Sequence, residues 1–184
     1  MKIAILGWGS LVWDPRKLPL ASSWMPGGPR LPIEFTRISS DGRLTLVIDH
    51  TNGVRIDSRF ATSARSELDD AVEDLRRREG PTRRENIGSV VAQREPTADA
   101  NDSTGQIALW CRTAGFDAAV WTALGSNFRE KRDAPFTVPA AMTYLAQLGG
   151  EQRRLAFEYI NRAPAEVDTP LRSAFAAARL PDRS

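Results

Sequence analysis

The chain has 184 residues, 41% of them apolar and 26% charged, an ordinary globular composition that supports one soluble domain with a core needing neither disulfides nor metals. Its 25 basic and 23 acidic residues leave a net charge of +2, and the basic clusters Arg76-Arg77-Arg78, Arg83-Arg84 and 129–132 sit among acids, the pattern of a solvated surface and not of a nucleic-acid face. One cysteine, Cys111, forbids an intrachain disulfide and suits a reducing cytoplasm, while no apolar stretch approaches the roughly 18 residues of a membrane span.

Residues 2–6 form a short apolar run that breaks into Gly7-Trp8-Gly9-Ser10-Leu11-Val12-Trp13 and stops at Asp14-Pro15. This reads as a strand feeding a glycine loop whose uncovered backbone N–H groups suit a carboxylate or phosphate; the alternative is a plain glycine turn between two strands. A dinucleotide fingerprint is excluded because Val12 stands where a third glycine is needed, and a phosphate-binding loop because no Gly-Lys-Ser/Thr ending follows. Two glycines, two tryptophans and a serine also distinguish residues 3–13 from a secretory signal.

The stretch 16–30, with Pro19, Pro26, Gly27, Gly28 and Pro29, predicts a long irregular excursion of the kind that covers sites. Strands are predicted over 31–38 and 43–49, joined at Asp41-Gly42, and over 54–60 after Asn52-Gly53, which together make an antiparallel meander. Ser66-x-x-Asp69 resembles a capping box opening a helix to Glu79, where Gly80-Pro81 stops it. Two further strands are predicted over 87–93 and 106–112. From Phe116 the spacing of Phe116, Val120 and Leu124 predicts helix, capped at Gly125, and three more helices follow over 139–148, 151–161 and 169–180. The expected fold is α+β: a small, mainly antiparallel sheet curled towards a barrel, with one helix inserted among its strands and a helical C-terminal tail. It is read as a single domain with a barrel core over about 1–112 and the tail over about 113–184.

Within the inserted helix, at about 100° per residue, Leu68, Val72, Leu75 and Glu79 fall within about 60° of one another. Glu79 thus extends the apolar stripe, and burial together with the negative end of the helix dipole predicts a raised pKa suited to a general acid/base. The competing readings are a frayed helix end and a surface pair between Glu79 and Arg83 or Arg84. Other chemistry is thin. His50 and Cys111 are the only members of their types, so no metal is expected. A triad of Ser10, His50 and an acid lacks the Gly-x-Ser-x-Gly elbow.

The strand with Gly7-Trp8-Gly9-Ser10-Leu11-Val12-Trp13, taken with the helix ending in Arg78-Glu79-Gly80, resembles the gamma-glutamylcyclotransferase-like superfamily (ChaC-like and AIG2-like barrels). In that superfamily the first strand runs into Tyr-Gly-Ser-Leu/Asn and a later helix end carries an essential glutamate. Phe35-Thr36-Arg37 adds a weaker match, and the likeness covers about residues 2–112. The resemblance implies a small barrel and a site in which Gly7, Trp8, Gly9, Ser10 and Leu11 hold the α-carboxylate of a γ-glutamyl group while Glu79 manages its α-amino proton. It further implies internal attack of that amine on the γ-carbonyl, giving 5-oxoproline and a free amine or amino acid, with no cofactor. The expected partner is a small γ-glutamyl substrate (glutathione, a γ-glutamyl amino acid or a γ-glutamyl amine), with no nucleic acid and no membrane, in a monomer or homodimer. Trp8 stands where the family commonly has tyrosine, and the segment directly after Glu79 holds no tyrosine: the chain's two, Tyr144 and Tyr159, lie far downstream. These departures favour the alternative of a non-enzymatic binding module for an anionic ligand. Arg83 or Arg84 would either bind an acidic leaving group or lie solvated.

Overall fold

The computed structural model of the chain describes residues 1–80, 82–97, 99 and 101–178. Along them run the strands β1 (Ile3–Gly7), β2 (Arg30–Ile38), β3 (Leu44–Ile48), β4 (Val54–Asp57), β5 (Arg59–Thr62), β6 (Ile87–Val91) and β7 (Ala118–Thr122). The helices are α1 (Ser10–Trp13), α2 (Leu68–Glu79), α3 (Ser103–Ala114), α4 (Phe128–Arg132), α5 (Val138–Gln147), α6 (Gly150–Arg162) and α7 (Pro170–Ala178). The fold is α+β. Its strands form a four-stranded sheet in the order β5-β1-β7-β6 and a three-stranded sheet in the order β3-β2-β4, and no closed barrel is found among the described residues. The chain divides into two compact units: Met1–Leu31 with Asp57–Leu124, and Pro32–Ile56 with the described residues from Gly125. Among the described residues no helix is long and apolar enough to cross a membrane.

In the first unit β1 pairs antiparallel with β5 and parallel with β7, which pairs antiparallel with β6. Ile3, Ile5, Ala118 and Val120 pack with Ala71, Val72 and Leu75 of α2 in one buried cluster. Leu6 stands across from Phe60, so both point to the opposite face, and there Phe60 meets Trp110 of α3 at 5.1 Å between ring centroids. Helices therefore cover both faces of this sheet. The excursion over 16–30 lies along the outer edge of β5. Met25 and Phe60 exchange backbone hydrogen bonds at 2.8 and 3.0 Å, Ala21 N–H donates to Thr62 at 2.8 Å, and Gly28 N–H donates to Ser58 at 2.8 Å. It satisfies a sheet edge that would otherwise be open to another chain.

Two elements exchange their expected types. Residues 106–112, read as a strand, lie inside α3, whose start is capped by Asp102 accepting from Gly105 N–H at 2.8 Å and whose end is Gly115 at φ 72°. Residues 118–122, read as helix, are β7, which is bonded at its edges to β1 and β6 and covered by α2 and α3, so both of its faces are buried and no alternation marks it. Gly125 is accordingly no helix cap. The run expected as one strand over 54–60 breaks at the buried Ser58 into β4 and β5, which belong to different sheets. Asn52-Gly53 does not close a hairpin either, because β4 lies next to β2 and not next to β3. The capping box at Ser66 is not formed: α2 has Glu67 at its N-cap with no side-chain bond, and Ser66 carbonyl accepts instead from the Met1 amino group at 2.9 Å. The stop at Gly80 stands, at φ 88°. Its neighbour Pro81 lies outside the described residues, as do positions 179 and 180 of the last predicted helix.

In the second unit β2 pairs antiparallel with β3, with a register shift between Glu34 and Arg37, and α6 packs on β3. The short helix α4 has no counterpart among the predicted elements. Buried Phe35 meets Tyr159 of α6 edge to face at 6.3 Å. Buried Arg153 donates to the carbonyls of Leu145, Ala146 and Leu148 at the end of α5, and Arg172 donates to those of Ala163, Pro164 and Val167 after α6. Basic side chains here serve as helix C-terminal caps, taking carbonyls the helices leave unsatisfied.

Candidate functional site

Both halves of the expected site belong to the first unit. Gly7 ends β1 opposite Arg59 of β5, and a Cβ there would approach Trp24 Cζ3 to 2.9 Å and Val12 Cγ2 to 3.1 Å, so the close packing of these side chains requires glycine. The chain turns at Gly9 into α1, where Val12 N–H donates to Gly9 carbonyl at 2.9 Å and Asp14 N–H to Ser10 carbonyl at 2.8 Å. Gly7, Trp8, Gly9 and Leu11 are buried and Ser10 is half-buried. The loop therefore differs from the expected open cradle: Gly7 admits the packing of Trp24 and Val12, and Ser10 is the first residue of the loop that is not buried.

Glu79 is the last residue of α2, and 17% of its side chain is exposed. It is not frayed, nor paired with Arg83 or Arg84. Arg84 reaches Asp69 at 2.6 Å, whereas Glu79 Oε1 accepts from Arg78 Nη1 at 2.7 Å. The expectation drawn from the apolar stripe included burial but not this cation.

Arg78 is the residue that sequence reasoning missed. Its guanidinium is buried, with 6% of the side chain exposed. Nε and Nη2 donate to Asp14 carbonyl at 3.2 and 2.6 Å, Nη2 donates also to Ser10 Oγ at 3.3 Å, and Nη1 holds Glu79. One planar group thus bonds α1, the turn after it and the carboxylate. Since its two NH2 groups are rigidly joined, Ser10 Oγ and Glu79 Oε1 lie no more than about 8 Å apart. In return Arg16 Nη1 donates to Arg78 carbonyl at 2.9 Å from a backbone at φ 54°, an uncommon conformation for a residue with a side chain. The signal was present in the sequence: Ala71, Leu75 and Arg78 are spaced i, i+4, i+7, as regular an apolar stripe as the one that singled out Glu79.

The remaining candidates fall elsewhere. His50 is exposed in the turn after β3 and belongs to the second unit, whereas Ser10 belongs to the first. Cys111 is buried in α3, where desolvation pushes its thiol up to about 11. Tyr144 donates its hydroxyl to Gly42 carbonyl at 2.7 Å, and the Tyr159 hydroxyl accepts from Leu46 N–H at 3.4 Å, both within the second unit. Phe35-Thr36-Arg37 lies on β2, with Arg37 donating to Gly125 carbonyl at 2.9 Å. Among the described residues no three histidine, cysteine or acidic side chains are grouped to hold a metal. Compared with protein-family models, with curated proteins and with solved structures, the chain matches none.

Proposed function

We propose that the chain is a γ-glutamyl cyclotransferase-type enzyme of the cytoplasm, acting on a γ-glutamyl amide with Glu79 as general acid/base. The observation that carries this reading is the Arg78 guanidinium shared between Ser10 Oγ and Glu79 Oε1. It holds the two motifs, 68 residues apart in sequence, within about 8 Å of each other, which supports a shared site. Among the described residues no hydrogen bond reaches Glu79 Oε2, so one oxygen is left for a ligand. The barrel belongs to this reading as its fold expectation.

In the proposed reaction Glu79 Oε2 takes a proton from the substrate's α-ammonium. The freed amine attacks the γ-carbonyl carbon, forming the five-membered ring and a tetrahedral oxyanion. Glu79 gives that proton to the amide nitrogen as its bond to that carbon breaks and takes the surplus proton from the ring nitrogen. This second proton passes on to the departing amine, leaving 5-oxoproline with a neutral ring nitrogen and a protonated amine or amino acid. Nucleophile and electrophile share one molecule, so the protein's tasks are orientation and proton transfer.

The test is 5-oxoproline release, followed by mass spectrometry, from glutathione, γ-glutamyl amino acids and γ-glutamyl amines. Wild type releases it, and folded Glu79→Gln loses about 100-fold or more in rate, the usual scale of general acid/base catalysis. Absence of release from every substrate sinks the reading. The second reading, a binding module for an anionic ligand, is favoured by Trp8 in place of tyrosine; under it Glu79→Gln keeps or tightens ligand binding because a negative charge is removed.

A further inference from the structure

The geometry points to Arg78 as the positioning residue of this site, a role that rests on the cyclotransferase reading and adds to it the group that aims the acid. A buried guanidinium loses hydration, and that loss is offset only when its N–H groups find acceptors and its charge a partner. Arg78 finds both. Asp14 carbonyl and Ser10 Oγ lie on one side and Glu79 Oε1 on the other. Arg16 closes the arrangement from the far side by donating to Arg78's own carbonyl, which fixes the end of α2 next to the segment that follows α1.

The consequence for the chemistry is an inequivalence of the two Glu79 oxygens. Oε1 is engaged by a cation that stays protonated throughout, so the proton taken from the ammonium goes to Oε2 and is given back from Oε2. Arg78 neither gains nor loses a proton and touches no reacting atom; it holds the acceptor oxygen in line with a head group seated on Ser10. Lysine cannot replace it, because one ammonium nitrogen does not span Asp14, Ser10 and Glu79 as a planar fork does.

The deciding experiment measures kcat and KM for 5-oxoproline release by wild type, Arg78→Lys, Arg78→Ala and Glu79→Gln, with and without millimolar guanidinium, alongside amide exchange at Val12 and Asp14. Folded Arg78→Lys is expected to lose about 100-fold, mainly in kcat, the usual scale for a small misplacement of catalytic groups. Added guanidinium restores kcat in Arg78→Ala but not in Glu79→Gln, and exchange at Val12 and Asp14 speeds up in both Arg78 variants. An active wild type with unchanged kcat in folded Arg78→Lys overturns Arg78's role and leaves the cyclotransferase reading standing. Failure of both Arg78 variants to fold assigns Arg78 to stability alone, which also overturns it. A wild type silent on every substrate overturns the reading and the positioning role resting on it, whatever the amides do.

Discussion

The carboxylate of Glu34, on β2, accepts a hydrogen bond from the hydroxyl of Thr169, 135 residues further along the chain, at 2.7 Å. Both are buried. The same carboxylate accepts from Phe35 N–H at 2.8 Å and from Leu171 N–H, in the first turn of α7, at 3.3 Å. Burial raises the pKa of Glu34 above its ordinary value of 4.5 despite these bonds, and the charge of Asp49 adds to the effect. The folded chain therefore binds this proton more tightly than the unfolded one. The contribution of Glu34 to stability is highest below pH 4.5 and falls as pH rises through the folded pKa. Unfolding by urea from pH 4.5 upward should show a downward slope in wild type that Glu34→Gln lacks; equal slopes refute the assignment. Glu34→Ala removes the acceptor of all three donors and should cost about 3 kcal/mol, at about 1 kcal/mol or more for each buried group left unsatisfied.

Gly53 is fixed by backbone on both sides. A Cβ there would stand 2.5 Å from Asp49 carbonyl oxygen and 2.5 Å from the carbonyl carbon of Pro32, and neither is a side chain that can swing away. Gly53→Ala should cost about 1–3 kcal/mol. Gly125 has nothing within 4 Å of a built Cβ, and Gly125→Ala should stay within about 0.5 kcal/mol of wild type. Thermal unfolding of the pair checks both.

Cys111 should be silent in the native protein. Its thiol is fully buried and pushed up to about 11, so at pH 8 only about one in a thousand is ionised, and that one is out of reach. A disulfide reagent such as DTNB should label it only at the rate of unfolding. Prompt labelling without denaturant would contradict the packing of α3.

Trp110 fastens the excursion over 16–30 from the α3 side: its indole N–H donates to Gly27 carbonyl at 2.9 Å while its ring stacks on Phe116 at 5.5 Å. Trp110→Phe keeps an aromatic ring and removes the donor. It should cost about 1 kcal/mol and speed amide exchange at Met25 and Gly28.

Much of the fold was legible because local signals agreed with tertiary ones. The break at Gly7, the strands β2, β3 and β6, and the stop of α2 at Gly80 each carried their own turn or cap residue. Type was lost where an element was apolar on every side. Ala118-Ala119-Val120-Trp121 shows no period of two because the strand is covered on both faces. Ile107-Ala108-Leu109-Trp110-Cys111 is too short an apolar run to separate strand from helix by period, although Asp102 and Gly115 mark its ends. Pairing of β4 with β2 was out of reach for a different reason: a two-residue turn signal says where the chain reverses and leaves open which neighbour it then joins. At the candidate site, Glu79 was singled out because an acid on an apolar stripe is conspicuous, whereas Arg78 was hidden in a run of three arginines whose other members pair with Glu73.

The polypeptide passes from one compact unit to the other at Leu31, returns at Asp57 and leaves again at Leu124. No single start and stop position delivers either half. An expression product ending near residue 112 would lack β7, the strand bonded on one side to β1 and on the other to β6, and would strand residues 32–56 without α5 to α7. The first unit becomes separable only by splicing Leu31 directly to Asp57 and halting at Leu124. Gene fragments chosen by linear boundaries will therefore misjudge what this protein needs in order to fold.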